Sequence, residues 1–218
     1  MPETRGRTIR IVLLDDHALF RESVGRLLGA DPEFEIVANC GSMNEALAAL
    51  HKEPVDIVLL DFDLGQRDGA QFLRSARELG YTGKVLVVTA GVDKDEAALL
   101  IRSGVAGIFT KHNSAALLAE GIRDVMAEKV WFDQELLQEA IASAGPKATN
   151  EGGKFTERER LVLSHVFEGL ANKEIAERIK VSESAVKATL QQLFAKTGVR
   201  TRSQLVRVAL EQYRKDGP

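Results

Sequence analysis

The stretch Val55-Asp56-Ile57-Val58-Leu59-Leu60-Asp61-Phe62-Asp63 is apolar at almost every residue and then stops on a carboxylate. A strand with one wet face would alternate polar and apolar residues. A near-continuous run of this length marks a strand covered on both faces, which is the habit of parallel sheets. Upstream, Ile9–Leu14 and Phe34–Ala38 read as strands, and downstream so do Lys84–Thr89 and Gly107–Thr110. Helical patterns fill the gaps: Leu19–Leu28, Asn44–Leu50, Ala70–Leu79, Glu96–Ile101 and Ala115–Met126. Five strand–helix repeats predict an α/β domain with a five-stranded, doubly wound parallel sheet.

The chain has 218 residues and a mass of 23.9 kDa, which fits two domains better than one. With 44% hydrophobic and 28% charged residues it can build a packed core. No apolar run reaches the roughly 20 residues of a membrane span, and the N-terminus lacks a secretory apolar stretch. Cys40 is the single cysteine, so an internal disulfide and a multi-cysteine metal site are excluded. A soluble, cytoplasmic protein is expected. The charge is uneven. Residues 1–125 carry 14 Lys and Arg against 19 Asp and Glu, net −5, and 126–150 carry 2 against 4, net −2. Residues 151–218 carry 13 against 9, net +4, so a polyanionic partner would meet the C-terminal part.

The run from Ser143 to Gly153 is rich in Gly, Pro and polar residues and reads as a flexible linker. Before it, Trp131–Ile141 reads as a helix or as a partly ordered extension of the first domain. After it every pattern is helical. Thr156-Glu157-Arg158-Glu159 has the spacing of a capping box, and helices are predicted at 157–168, 173–179, 183–196 and 203–214. The expected domains are 1–127, a linker over 128–153, and 154–218.

In an open parallel sheet, chemistry collects at the carboxyl ends of the strands. There lie Asp15 and Asp16 after the first strand, Asp61 after the third, Thr89 and Ala90 after the fourth, and Lys111 after the fifth. Each has an ordinary reading by itself: an aspartate as helix N-cap, a lysine as solvated charge, a threonine as turn residue. Together they place three carboxylates, a hydroxyl and an ammonium on one edge. Such a cluster calls for a cation, and Mg²⁺, a hard ion with oxygen ligands, suits it. A carboxylate beside Mg²⁺ and a lysine is well placed to attack a phosphoryl group.

Residues 9–127 resemble a response-regulator receiver domain of the CheY-like fold. Asp15-Asp16-His17-Ala18-Leu19-Phe20-Arg21 is close to the opening motif of the NarL/FixJ type, and Asp61 to Gly69 keeps the receiver spacing from phosphoacceptor to glycine. The resemblance implies that a histidine kinase phosphorylates Asp61. It also implies that Asp15, Asp16, Asp61 and the backbone carbonyl of Asp63 hold Mg²⁺, and that Thr89 and Lys111 complete the site. Four positions depart from the pattern. Gly65 replaces a usual proline, Ile108 stands where an aromatic switch residue is common, His112 follows the lysine, and Asp63 adds a carboxylate expected to tighten Mg²⁺ and alter the phosphoryl lifetime.

In the basic segment, Ile175, Ala176 and Ile179 form one apolar stripe and Val186, Leu190, Leu193 and Phe194 another. Two short helices joined by Lys180-Val181-Ser182 fit a helix-turn-helix. The outward face of the second helix carries Lys187, Ala188, Gln191, Gln192 and Lys196, which suits base edges and phosphates but also an ordinary solvated face. Residues 154–213 resemble a LuxR-type DNA-binding domain, through Phe155–Arg160, Gly169–Ala176, Val181–Lys187 and Leu193–Val199. The resemblance implies DNA contacts from Asn172, Lys173, Ser184, Lys187, Ala188, Thr189, Gln191 and Lys196. Ala185 and Thr189 replace a usual Thr and His, and Ala171 a usual Ser cap, so modest affinity or an unusual operator is expected, with the Thr189 hydroxyl still able to reach a phosphate.

The leading expectation is a phosphorylation-controlled transcription factor rather than an enzyme. Its partners would be a cognate histidine kinase, double-stranded promoter DNA and a second copy of the chain, with no membrane. Leu205, Val206, Val208, Ala209 and Leu210 are a candidate dimer face, or simply core. Two alternatives stand beside it. Asp61-Phe62-Asp63 has the Asp-x-Asp of haloacid-dehalogenase-type phosphohydrolases, although there the motif follows the first strand. A receiver-type regulator that acts through dimerisation or a protein partner, without phosphorylation, is the other.

Overall fold

The computed structural model describes residues 8–64, 69–132 and 155–213. Gly65 and the linker from Ser143 to Gly153 lie outside them. The order is β1 (Ile9–Leu14), α1 (Ala18–Gly29), β2 (Phe34–Cys40), α2 (Met43–Lys52), β3 (Ile57–Leu60), α3 (Gly69–Glu78), β4 (Lys84–Thr89), α4 (Lys94–Ser103), β5 (Gly107–Thr110) and α5 (Ala115–Met126). Among the described residues four helices follow: α6 (Glu157–Phe167), α7 (Asn172–Arg178), α8 (Glu183–Thr197) and α9 (Arg202–Tyr213). None of the described helices is long and apolar enough to cross a membrane.

The sheet has five strands in the order β2-β1-β3-β4-β5, and the pairs β1–β2, β1–β3 and β3–β4 are parallel. All four residues of β3 are buried, as its apolar run requires. Ile11, Leu14, Ile57, Leu60 and Leu86 are completely or almost completely removed from water, and Phe72 from α3 is buried with them. The strand order reverses direction at β1 and β3, which opens a crevice beyond their carboxyl ends. Leu14 pairs with Leu60, so the next residues, Asp15 and Asp61, stand side by side at that crevice.

Several boundaries differ from the sequence reading for identifiable reasons. Strand β3 begins at Ile57, and Asp56 just before it bridges the neighbouring strands: its N–H donates to the Arg10 carbonyl at 2.9 Å, its carboxylate accepts from the Arg10 N–H at 2.9 Å and its carbonyl accepts from the Lys84 N–H at 2.9 Å. Helix α4 starts at Lys94, not Glu96, because Asp93 and Glu96 form a reciprocal capping box. Trp131 does not begin a helix. It is extended and bridges to Gly107, taking the Ile108 N–H on its carbonyl at 2.8 Å; residues 133–141 lie outside the described part.

Backbone contacts group residues 1–91 and 109–122 as one unit and 92–108 with 123–218 as another. In the second, α9 packs against α6 and α8, and α7 against α8. Val162, Val166, Ile175, Val186, Leu193, Leu205 and Val206 form its core, each essentially fully buried. Leu205 and Val206 are therefore core residues, and the dimer-face reading fails for these two. Helix α6 carries the predicted capping box, with Thr156 and Glu159 satisfying each other's backbone N–H groups. Helices α7 and α8 are joined by a turn in which Lys180 takes the left-handed conformation at φ 54°.

Candidate functional site

The acidic pocket is assembled by the sheet. The Asp61 N–H donates to the Leu14 carbonyl at 2.7 Å, and the Asp15 N–H donates to Cys40 at 3.1 Å, so both aspartates continue the strand ladders past their last residues. Their side chains are buried, while Asp16 is exposed. From β5, the Lys111 N–H donates to the Thr89 carbonyl at 2.7 Å. Its ammonium lies 2.8 Å from Asp15 Oδ2 and 2.7 Å from Asp61 Oδ2 and rests 4.6 Å from the centre of the Phe20 ring. The Asp63 N–H reaches Asp61 Oδ1 at 3.3 Å. Asp15, Asp16, Asp61 and Lys111 thus converge, as the sequence placed them.

Charge sets the character of this cluster. Burial pushes the Asp61 carboxyl above its ordinary pKa; the Lys111 hydrogen bond opposes this and the Asp15 charge adds to it. Burial acts to lower the Lys111 pKa, but the carboxylates of Asp15 and Asp61 outweigh it and hold the ammonium above its usual value. One ammonium faces three carboxylates, two of them buried. That surplus of oxygen donors and negative charge fits a hard divalent cation such as Mg²⁺.

Thr89 is completely buried, and its hydroxyl is engaged within its own loop, donating to the Gly91 carbonyl at 2.9 Å and accepting from the Gly91 N–H at 3.2 Å. A new partner for that hydroxyl would have to displace Gly91. Ile108 and Phe109 are both buried, and His112 is exposed. The glycine eight residues after Asp61 has a steric reason: a Cβ on Gly69 would meet the Phe62 side chain at 2.9 Å and its carbonyl at 3.0 Å. Three contributors carry no chemical role in the sequence reading. His17 brings its imidazole to the cluster, Phe20 supports Lys111, and Arg21 donates to the Asp15 carbonyl. Their signal was the motif itself, since positions directly after Asp16 open α1 over the pocket.

In the helical unit, Ser182 caps α8 by accepting the Ala185 N–H at 3.2 Å. Ser184, Lys187, Ala188, Gln191, Gln192 and Lys196 are exposed along that helix, and Lys173 is exposed on α7. Lys187 pairs with Glu183 at 2.8 Å on the surface. Lys196 holds the buried Glu159 at 2.7 Å and so ties α8 to α6. Two residues expected at DNA are placed inside instead. Asn172 is buried and accepts from Arg202 Nη1 at 2.8 Å. Thr189 is buried and donates to the Ala185 carbonyl at 2.9 Å.

Ala171 occupies the N-cap of α7 without a side-chain cap, and the Glu174 carboxylate accepts its N–H at 2.6 Å. Its backbone, at φ −66° and ψ 161°, matches the capped Thr156. Ala171→Ser is therefore expected to add about 1 kcal/mol of stability, read as a shift in the denaturant midpoint.

Residues 11–123 match the response regulator receiver domain family, and residues 154–209 match the luxR family of bacterial regulatory proteins. The chain belongs to the response regulators that join a receiver to a LuxR-type DNA-binding domain. It is 33% identical over 96% of its length to the DNA-binding transcriptional activator DevR/DosR of Mycobacterium tuberculosis, covering 100% of that protein. It is 30% identical over 97% of its length to the nitrate/nitrite response regulator NarP of Escherichia coli, covering 98% of it. A LuxR-family two-component response regulator from Aurantimonas superposes with a TM-score of 0.56 at 27% identity, over 62% of this chain and 97% of that one. RcsB of Salmonella typhimurium superposes at 0.55 over 93% of this chain and 98% of its own, and at 16% identity this speaks to the fold alone. The relatives named are regulators, which favours that reading of Asp61-Phe62-Asp63 over a hydrolase.

Proposed function

We propose that this chain is a phosphorylation-controlled, DNA-binding transcription regulator in which Asp61 is the phosphoacceptor. Residues 1–127 act as the receiver and 154–218 as the DNA-binding domain. The observation that carries the reading is the Lys111 ammonium spanning Asp15 and Asp61 at the switch point of the sheet, in a chain that also holds a helix-turn-helix. A carboxylate oxygen of Asp61 attacks the phosphorus of a phosphohistidine on the kinase. The new P–O bond forms as the P–N bond breaks, and its electron pair returns to the kinase imidazole. Asp15, Asp16, Asp61 and the Asp63 carbonyl would hold Mg²⁺, which neutralises charge on the phosphoryl oxygens. Lys111 meets one of those oxygens, and Thr89 leaves Gly91 to meet another. The phosphorylated chain binds promoter DNA as a homodimer, which multiplies two half-site affinities.

On the DNA side the reading retains Ser184, Lys187, Ala188, Gln191, Lys196 and Lys173 as contacts, with Asn172 and Thr189 as supports. The test uses the full chain with Mg²⁺ and a small-molecule phosphodonor, followed by intact mass and by promoter affinity. One phosphoryl adduct and tighter DNA binding are expected. An unmodified mass in saturating Mg²⁺ would overturn the reading. Lys187→Ala should weaken binding to all sequences and lower the salt slope by about 1, because exposed pairing with Glu183 barely competes with a phosphate. Gln191→Ala should instead relax preference at one base pair by about 1–3 kcal/mol, measured across a mutated operator series.

A further inference from the structure

His17 holds the N-cap position of α1, where a Ser, Thr, Asp or Asn side chain normally accepts a helix N–H. The His17 side chain caps nothing. Its ring turns into the acidic pocket. Nδ1 lies 2.8 Å from Asp16 Oδ1, 3.3 Å from Asp15 Oδ1 and 3.6 Å from Asp61 Oδ2. One donor atom from each of these four residues falls within 4.8 Å of every other. Ligands about 2.1 Å from a common ion stand roughly 3.0 Å apart at neighbouring octahedral corners and roughly 3.4 Å apart at tetrahedral ones. The His17 separations bracket these values. The imidazole is also 66% exposed, so an ion can reach it from solvent.

A nitrogen donor adds little for Mg²⁺, which prefers oxygen. Imidazole favours first-row transition dications, above all Zn²⁺, Cu²⁺ and Ni²⁺. We propose that this pocket also binds a transition dication such as Zn²⁺, with His17 Nδ1 as the nitrogen ligand beside Asp15, Asp16 and Asp61. The inference deepens the reading of the pocket as a divalent-cation site and rests on it. The two ions compete for the same carboxylates.

The experiment titrates Zn²⁺ into the metal-free full chain by calorimetry, alone and against Mg²⁺, for wild type, His17→Ala and Asp15→Asn. Co²⁺ is titrated in parallel, because its visible spectrum reports nitrogen coordination. The ratio of Zn²⁺ to Mg²⁺ affinity should fall at least about tenfold in His17→Ala. Asp15→Asn should weaken both ions, and the Co²⁺ spectrum of wild type should change on loss of the imidazole. Equal Zn²⁺ affinity in wild type and His17→Ala would overturn the proposal. So would Zn²⁺ binding untouched by Asp15→Asn, which would place the ion elsewhere. Phosphoryl adduct on the wild type in Mg²⁺ keeps the two readings apart: adduct without a His17-dependent Zn²⁺ site sinks this inference alone, and the opposite result sinks the phosphoacceptor role of Asp61.

Discussion

Asp61→Asn is expected to abolish the phosphoryl adduct completely and, at neutral pH, to make the unphosphorylated protein more stable than wild type. Both effects come from the same carboxylate. As an amide, residue 61 has no nucleophilic oxygen of comparable strength, so intact mass after treatment with phosphodonor and Mg²⁺ stays at the unmodified value. The stability gain follows from linkage. Burial raises the pKa of Asp61 in the folded chain, which means that folding disfavours its ionised form. A carboxyl with a raised folded pKa contributes stability in full only below its unfolded value of 3.8 and loses that contribution as pH rises through the folded pKa. At neutral pH the charge is a standing cost that the amide does not carry. Lys111 is not orphaned by the change, because Asp15 Oδ2 remains 2.8 Å away. Urea unfolding of both proteins without divalent ions, at neutral pH and again near pH 4, checks the sign. The advantage of the variant should shrink on acidification. A variant less stable than wild type at neutral pH would mean that the Lys111 pair outweighs the burial of Asp61.

The pocket was legible in the sequence because its parts lie at strand ends and strands announce themselves locally. The run Ile57–Leu60 could only be a buried strand, and once β1 and β3 are neighbours, Asp15 and Asp61 must meet. The capping boxes of α4 and α6, Asp93 with Glu96 and Thr156 with Glu159, are also local patterns. What sequence could not supply is pairing across distance. Asn172 looks like a contact residue at the start of a scaffold helix. It is instead the acceptor for a guanidinium 30 residues away. Thr189 looks like an exposed hydroxyl on a polar helix, but it lies one step inside the face and bonds back to Ala185. The motif places His17 directly after Asp16, but which carboxylates its ring meets is set by χ angles.

The same distant pairing carries the largest stability effect expected in the helical unit. Arg202 opens α9 and is 7% exposed. Its Nη1 donates to Asn172 Oδ1 at 2.8 Å, and its Nη2 donates to the Leu170 carbonyl. Burial lowers its pKa to about 10, still far above neutrality, so the guanidinium enters the fold charged. Arg202→Ala removes both donors at once. It leaves the buried Asn172 carboxamide and the half-buried Leu170 carbonyl without their donor and opens a void beside α7, and should cost about 3 kcal/mol. Arg202→Lys keeps the charge but lacks the planar fork that serves two acceptors, so it should recover only part of that loss. Because Asn172 is the first residue of α7, the loosened contact releases the helix against which α8 packs. DNA affinity should therefore fall in Arg202→Ala while the acidic pocket, built from the ends of β1, β3, β4 and β5 and the start of α1, still forms its adduct. Hydrogen exchange should show lost protection in α7 and α9 first, and unchanged exchange there would mean that the guanidinium is a passenger in the core.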